Sequence, residues 1–239
     1  VMITGNIKFD IAPPAAMQAL AADFRNRFGP QREILLAAST REGEEPQLLA
    51  AWRKLVADLP AGEAPRLFIV PRHPQRFDEV AAAIEAMGWR LSRRSTWGAS
   101  VATGGGDAIP DALALSADVW LGDSMGEMPA YYACADIGLL GGSFAPLGGQ
   151  NLIEAAACGC PLIVGPSTFN FAEAAEQGLA AGAAWRVETF DEACGLVRQA
   201  LQDGRLPASR EAALTFAASH QGAAARMATA IKRFLRQVK

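Results

Sequence analysis

The chain has 239 residues, half of them apolar and a fifth charged, with a net charge of −3. This composition excludes a disordered chain, and it gives no broad basic footprint for nucleic acid. Four cysteines without framework spacing exclude a disulfide-stapled scaffold and fit a reducing compartment, and no apolar run reaches the roughly 18 residues that a membrane span needs.

No secretory signal is visible at the start. Val1 is not an initiator, and VMITGNIKFD reads as the end of a connection entering a domain, so a piece of a longer protein is expected. Gly5-Asn6 is a turn, and residues 7–10 read as a short extended piece. Residues 15–28 have helical periodicity, with Met17, Leu20, Ala21, Phe24 and Phe28 on one face, and Pro30 ends that helix. Residues 33–38 (EILLAA) form the continuous apolar run of a buried parallel strand. Residues 39–45 are the loop at its carboxyl end, where Glu42, Glu44 and Glu45 are expected in solvent. Pro46 opens a helix to about Leu59, with Leu48, Leu49, Trp52 and Leu55 inward. Residues 67–70 are the second core strand. Pro71-Arg72-His73-Pro74 follows at once, then a helix over 77–87 capped by Gly88.

Residues 90–96 read as a strand. Gly104-Gly105-Gly106-Asp107 reads as a flexible loop with no helix after it, which excludes a dinucleotide fingerprint. Residues 119–121 are a short strand, and its outgoing loop, 122–128, leads into a helix through Cys134. Between Asp136 and Pro166 lie a strand (137–140), a glycine-rich loop (141–149), a helix (150–158) and another strand (161–164). A loop and helix over 168–177, a strand over 184–187 and helices over 189–202, 207–218 and 222–237 complete the chain. This alternation predicts a doubly wound α/β domain: one Rossmann-like parallel sheet, covered on both faces, with right-handed crossovers and no internal linker or repeat.

In such a sheet ligands bind beyond the carboxyl ends of the strands. The loops at 39–45, 71–74, 122–128 and 141–151 are polar or glycine-rich and are expected to open on that one edge. Arg72 is placed to fork two phosphate oxygens; the alternative is a surface arginine paired with a carboxylate. Gly148 and Gly149 let the backbone pass close to a ligand. Asn151 caps or lines the first turn of the next helix, where N–H groups are unpaired. Glu154 lies one turn further on the same face, within reach of a hydroxyl-bearing group. Gly126, Glu127 and Met128 offer acceptors to a base or sugar, unless Glu127 only caps its helix. His73 is either a site residue or turn packing between two prolines, and His220 reads as structural. Cys158 and Cys160 read as buried small side chains rather than metal ligands. The phosphate-loop, nucleophile-elbow and zinc-protease motifs are absent, and Asp123 and Asp136 stand isolated, without the paired carboxylate of a glycoside hydrolase. The whole reading requires Arg72 and Asn151 to share one rim.

GNIKFD, STREGEE, VPRHPQR, GDSMGEM, GGSFAPLGGQN with IEAA, and GPSTFNFAE occur in that order. Together they closely resemble the C-terminal half of the 3-deoxy-D-manno-octulosonic acid (Kdo) transferases, GT-B glycosyltransferases of lipopolysaccharide synthesis. The resemblance runs from about Gly5 to the last helices. It implies that residues 1–239 are a donor-binding domain for CMP-Kdo, with the N-terminal acceptor domain absent from this chain. The donor contacts it implies are Pro71 and Arg72, then Met125, Gly126 and Glu127, then Asn151, Leu152, Ile153 and Glu154, with Arg72 and the amides of residues 148–151 on the leaving phosphate. The family typically has histidine before that asparagine. Gln150 stands there instead, able to hydrogen-bond but not to carry a proton at neutral pH.

The resemblance further implies inverting transfer of Kdo to a lipid A precursor, with no cofactor and no nucleotide-bound metal. It places the general base, the acceptor site and the anchor to the cytoplasmic face of the inner membrane in the missing half. No catalytic residue is then expected here, and the chain alone should be soluble, bind CMP weakly and transfer nothing. Two other readings stay open: a GT-B transferase with a different nucleotide sugar, and a non-catalytic nucleotide-binding module. Arg226, Lys232, Arg233, Arg236 and Lys239 read as a solvated helix face that packs back on the missing half, or as a contact with anionic lipid headgroups.

Overall fold

The computed structural model describes residues 5–28, 32–60, 63–97 and 116–237. The glycine-rich loop expected at 104–107 lies outside these residues, as do Pro30 and Lys239 and the side chains of Phe28 and Arg236. Seven strands form one all-parallel sheet. They are β1 (Ile34–Thr40), β2 (Arg66–Pro71), β3 (Leu91–Arg93), β4 (Val119–Leu121), β5 (Ile137–Leu140), β6 (Leu162–Val164) and β7 (Ala184–Arg186). Their order across the sheet is β3-β4-β2-β1-β5-β6-β7.

The sequence of β1 explains its central place. Successive side chains point to opposite faces of a strand, and here both faces are apolar. Ile34, Leu36 and Ala38 enter one core, and Leu35 and Ala37 the other. The first core is closed by α1 (Ala15–Phe28), α4 (Met128–Cys134), α5 (Leu152–Ala157), α6 (Ala172–Ala180) and α8 (Leu206–Ser219). The second is closed by α2 (Glu44–Ala57), α3 (Phe77–Ala86) and α7 (Phe190–Gln202). Each fully buried Leu or Ile stabilises the fold by about 1.5–3 kcal/mol, so the two layers hold β1 and its neighbours in place. Phe24, Phe68, Trp97, Trp120 and Tyr131 form an aromatic cluster in the first core, in which Phe24 stacks on Tyr131 with centroids 5.5 Å apart. The terminal helix α9 (Ala223–Gln237) exposes Ile231, Phe234 and Leu235.

Several element ends differ from the sequence reading, each for a local reason. Residues 7–10 are not extended: Ile7–Phe9 is a 3₁₀ turn closed by Phe9 N–H on Asn6 O, and the Asp10 carboxylate then accepts Gly222 and Ala224 N–H at the start of α9. The strand expected over 90–96 stops at Arg93 and gives way to a 3₁₀ turn at Arg94–Thr96, because Asp123 takes both Ser95 N–H and its hydroxyl. The helix expected over 150–158 is only Leu152–Ala157, with Asn151 as its N-cap, Oδ1 accepting Ile153 N–H at 3.1 Å. Pro46 is the third residue of α2, not the first, since the Glu44 carboxylate folds back onto Arg41 N–H and starts the helix earlier. Over 168–177 a 3₁₀ turn (Phe169–Phe171) precedes α6. His220 is structural, with its ring edge-on to Phe9 and Phe216 and its Nε2 at 3.0 Å from Gln177 Oε1.

Candidate functional site

Because every strand is parallel to its neighbours, their carboxyl ends meet at one edge. From β1 the chain moves outward to β2; after β4 it returns to the other side of β1 as β5 and moves away through β6 and β7. The loops leaving β1 and β5 therefore diverge, and the crevice between them is the switch point where such sheets take ligands. Loop register is tied to the strands: Arg72 N–H donates to Thr40 O at 3.0 Å, Gly122 N–H to Ile69 O at 2.8 Å and Gly141 N–H to Ala38 O at 2.8 Å. At the end of β1 a bulge sets Thr40 opposite Pro71, and Ser39 takes a left-handed φ of 56°. That conformation costs a non-glycine residue about 1–3 kcal/mol and is held by its surroundings.

Arg72 is exposed at this rim, and among the described residues no carboxylate forms an ion pair with it. Its charge still acts on Glu154: burial raises that carboxyl, and Arg72 draws it back down without cancelling the rise. Tyr132 of α4, behind the 122–128 loop, is pushed well up by burial and also lies in the fields of Glu154 and Arg72. The loops after β2 and β4 and the start of α5 thus share one edge, and Arg72 and Asn151 fall on the same side of the molecule. Met125 is 69% exposed. Gly126 has φ +78°, which favours glycine in this turn, and nothing lies within 4 Å of the position a Cβ would occupy, so the space beside it is open. His73 is exposed beside Arg72.

Other parts of the site differ from expectation. Gly148 and Gly149 both have positive φ, but their backbone closes on the next loop. A Cβ on Gly148 would meet Asn170 Nδ2 at 2.4 Å, Gly148 N–H donates to Ser167 Oγ at 3.0 Å, and Gly149 N–H donates to Gly142 O at 2.9 Å. Those amides are engaged internally. At six residues, α5 is also too short to develop much of a macrodipole, so the positive charge at the rim comes from side chains, Arg72 among them.

Glu44 and Glu45 are not solvated: they are 2% and 1% exposed. The Glu44 carboxylate spans the switch point, accepting Arg41 N–H at 2.8 Å, Gly142 N–H at 2.9 Å and Phe144 N–H at 3.2 Å. Burial pushes this carboxyl up, and the three amides offset only part of that. Glu45 forms a two-bond pair with Arg76 at 2.7 and 3.0 Å. Asp123 and Asp136 have partners as well: Asp136 accepts Ile34 N–H at 2.8 Å and pairs with Arg25 at 2.5 Å, and Asp123 is held by Arg93 at 2.7 Å and by Ser95. Neither faces a second carboxylate among these partners. Glu127 makes no side-chain cap; its carboxylate is clamped by Arg94. Cys158 and Cys160 are buried, as are Cys134 and Cys194.

Sequence reasoning places Glu44 in solvent and does not single out Arg93 or Arg94. A pair of arginines at a strand end, and acids in a loop after another strand, were visible as a pattern. That the two strands are neighbours is known only once the sheet order is. A cleft of about 620 Å³ lies farther along the edge, between residues 144–146 and 166–169, with Arg186 at its wall. Among the described residues no three His, Cys, Asp or Glu side chains converge as a metal site, and no helix is long and apolar enough to cross a membrane.

The seven-stranded all-parallel sheet with helices on both faces matches the C-terminal domain of a GT-B glycosyltransferase. The chain is similar to the C-terminal CMP-Kdo binding domain of WaaA from Acinetobacter baumannii, with a TM-score of 0.70 and 27% identity over 86% of this chain and 98% of that one. Anabaena HepE, solved with UDP-glucose, shares the fold at a TM-score of 0.58 and 13% identity, over 97% of this chain and 55% of that one. In sequence the chain is 44% identical over 234 residues to the 3-deoxy-D-manno-octulosonic acid transferase of Bordetella pertussis, covering 98% of this chain and 51% of the relative. It is 37% identical over 171 residues to that of Haemophilus influenzae, covering 72% and 36%. No family model matches the chain. It belongs to the 3-deoxy-D-manno-octulosonic acid transferase family and spans about half the length or less of these curated relatives.

Proposed function

We propose that this chain is the donor-binding part of an enzyme that moves Kdo from CMP-Kdo to a lipid A precursor in lipopolysaccharide synthesis. The observation that carries the reading is Arg72: a cation without an ion-pair partner among the described residues, at the switch-point edge, in the field of Glu154. A guanidinium there forks two oxygens of the CMP phosphate and stabilises the charge that grows on it as the sugar leaves. Glu154 accepts hydrogen bonds from ribose hydroxyls, and Pro71, Leu152 and Ile153 wall the pocket. Asn151 fixes the helix start and, with the turn at Gly148 and Gly149, shapes the floor. The backbone of Met125, Gly126 and Glu127 faces the base or sugar. Gln150 contributes hydrogen bonding only.

In this reading residues 1–239 are one donor domain. The general base, the acceptor site and the contact with the cytoplasmic face of the inner membrane come from an N-terminal half, and no metal bridges the nucleotide. The chain alone binds CMP weakly and transfers nothing. Calorimetry tests this. CMP should bind in preference to UDP with EDTA present, and Arg72→Ala should weaken it by about 10- to 100-fold, the range for a lost charge-assisted hydrogen bond. Preference for UDP would favour a different nucleotide sugar. Unchanged CMP binding in Arg72→Ala would favour a non-catalytic module, and robust Kdo transfer by the chain alone would refute the division of labour.

A further inference from the structure

Both carboxylates of the loop after β4 are held by consecutive arginines at the end of the edge strand β3. Arg93 and Ser95 take Asp123, and Arg94 takes Glu127 with two parallel bonds, Nε to Oε2 at 2.9 Å and Nη2 to Oε1 at 2.8 Å. Glu127 Oε2 also lies 2.5 Å from the Ser124 hydroxyl and 3.1 Å from the Tyr131 hydroxyl. The two hydroxyls also bond each other, so one of them and Arg94 donate to that oxygen, which leaves little room for a ligand hydroxyl unless a donor is displaced. Arg94 is itself seated, its guanidinium 5.3 Å from the Phe24 ring centroid and 5.6 Å from that of Trp97. The base of the loop is therefore fastened to the aromatic core, while its tip, Met125 and Gly126, stands open to solvent.

We propose that Arg94 is a positioning residue for the donor site. It holds the Glu127 carboxylate in the wall, so that the backbone of residues 125–127 is presented ready-made to the nucleotide. It also cancels a negative charge that would otherwise face an anionic ligand. This rests on the donor-binding reading above. A fork of this kind depends on the planar guanidinium, which lysine does not reproduce. An unpaired Glu127 would repel a phosphate across the pocket, and salt screens that repulsion.

The experiment is CMP calorimetry, with thermal melting, on the 239-residue chain and its variants. Arg94→Gln should weaken CMP at least tenfold, with a smaller loss in high salt. The double variant Arg94→Gln/Glu127→Gln should bind CMP at least threefold more tightly than Arg94→Gln, because the charge needing a partner is gone; a role in packing alone would leave the double variant as weak as the single one. Wild-type affinity in folded Arg94→Gln, or a double variant no better than the single, overturns the proposal. If Arg94→Gln does not fold, Arg94→Lys decides: a threefold or larger loss at an unchanged melting temperature supports the fork, and wild-type affinity refutes it. Arg72→Ala separates the two levels. If it weakens CMP while Arg94→Gln does not, only the Arg94 role falls. If wild type fails to bind CMP, or Arg72→Ala binds like wild type, the donor reading itself falls.

Discussion

Gly141 is the tightest residue of the rim. An added Cβ would lie 2.3 Å from Ser39 O and 2.6 Å from Thr40 Cα, and neither backbone can move without dragging β1. Gly141→Ala should cost about 3 kcal/mol, the upper part of the usual range for overpacking, read as a lower urea midpoint at unchanged slope. Gly195, inside α7, has nothing within 4 Å of a built Cβ, and Gly195→Ala should raise stability by about 0.5–1 kcal/mol in the same assay. A neutral Gly141→Ala, or a Gly195→Ala that destabilises, would mean that the space around the added methyl does not decide the sign. At this scale the sequence was informative where a residue acts alone. Arg72 follows a strand directly, so its place at the edge could be argued from the chain. Glu44 and Arg94 act through partners 98 and 33 residues away, and no local pattern shows such pairs.

Among the elements, the apolar runs of β1, β2 and β5 were legible because both faces of each strand are buried. The ends of β3 and α2 were not, because each is set by a side-chain hydrogen bond rather than by propensity, whereas the Asn151 cap that opens α5 could be argued from the chain. The turn after β3 depends on Asp123. Burial alone would raise that carboxyl, but the Ser95 hydroxyl and N–H and the Arg93 guanidinium outweigh it and hold it below the usual aspartate value. A carboxyl lowered in the folded state adds stability that is present above its unfolded value, near 3.9, and lost as pH falls through the folded one. Asp123→Asn should therefore be clearly less stable than wild type at pH 7, and the gap should narrow as pH falls from about 5 towards 3. A gap independent of pH, measured by urea unfolding at each pH, would show that shape and not charge holds this turn.

For the whole molecule, the alternation of strands and helices was enough to give the fold class, but not which strands touch. The placing of β4 between β3 and β2 had to come from the structure. The two-layer burial also decides the thiol chemistry. Burial pushes Cys134, Cys158 and Cys194 up to about 12 and Cys160 well above its ordinary value. A disulfide reagent at pH 8 should thus label none of the four cysteines promptly in the native protein and all four in guanidinium. Fast labelling of even one in the native state would mean that a core face opens on the time scale of the assay.

The position of β1 in mid-sheet also bears on synthesis. One of its neighbours, β5, begins about a hundred residues later, and the amide of Ile34 finds its acceptor in Asp136, 102 positions downstream. A chain emerging from the ribosome at about 5–20 residues per second must keep that apolar strand waiting for several seconds before its second side is covered. The edge that carries Arg72 is completed only when α5 has been made, so it takes shape well after β1 and β2 have emerged and before β6 and β7 extend the sheet.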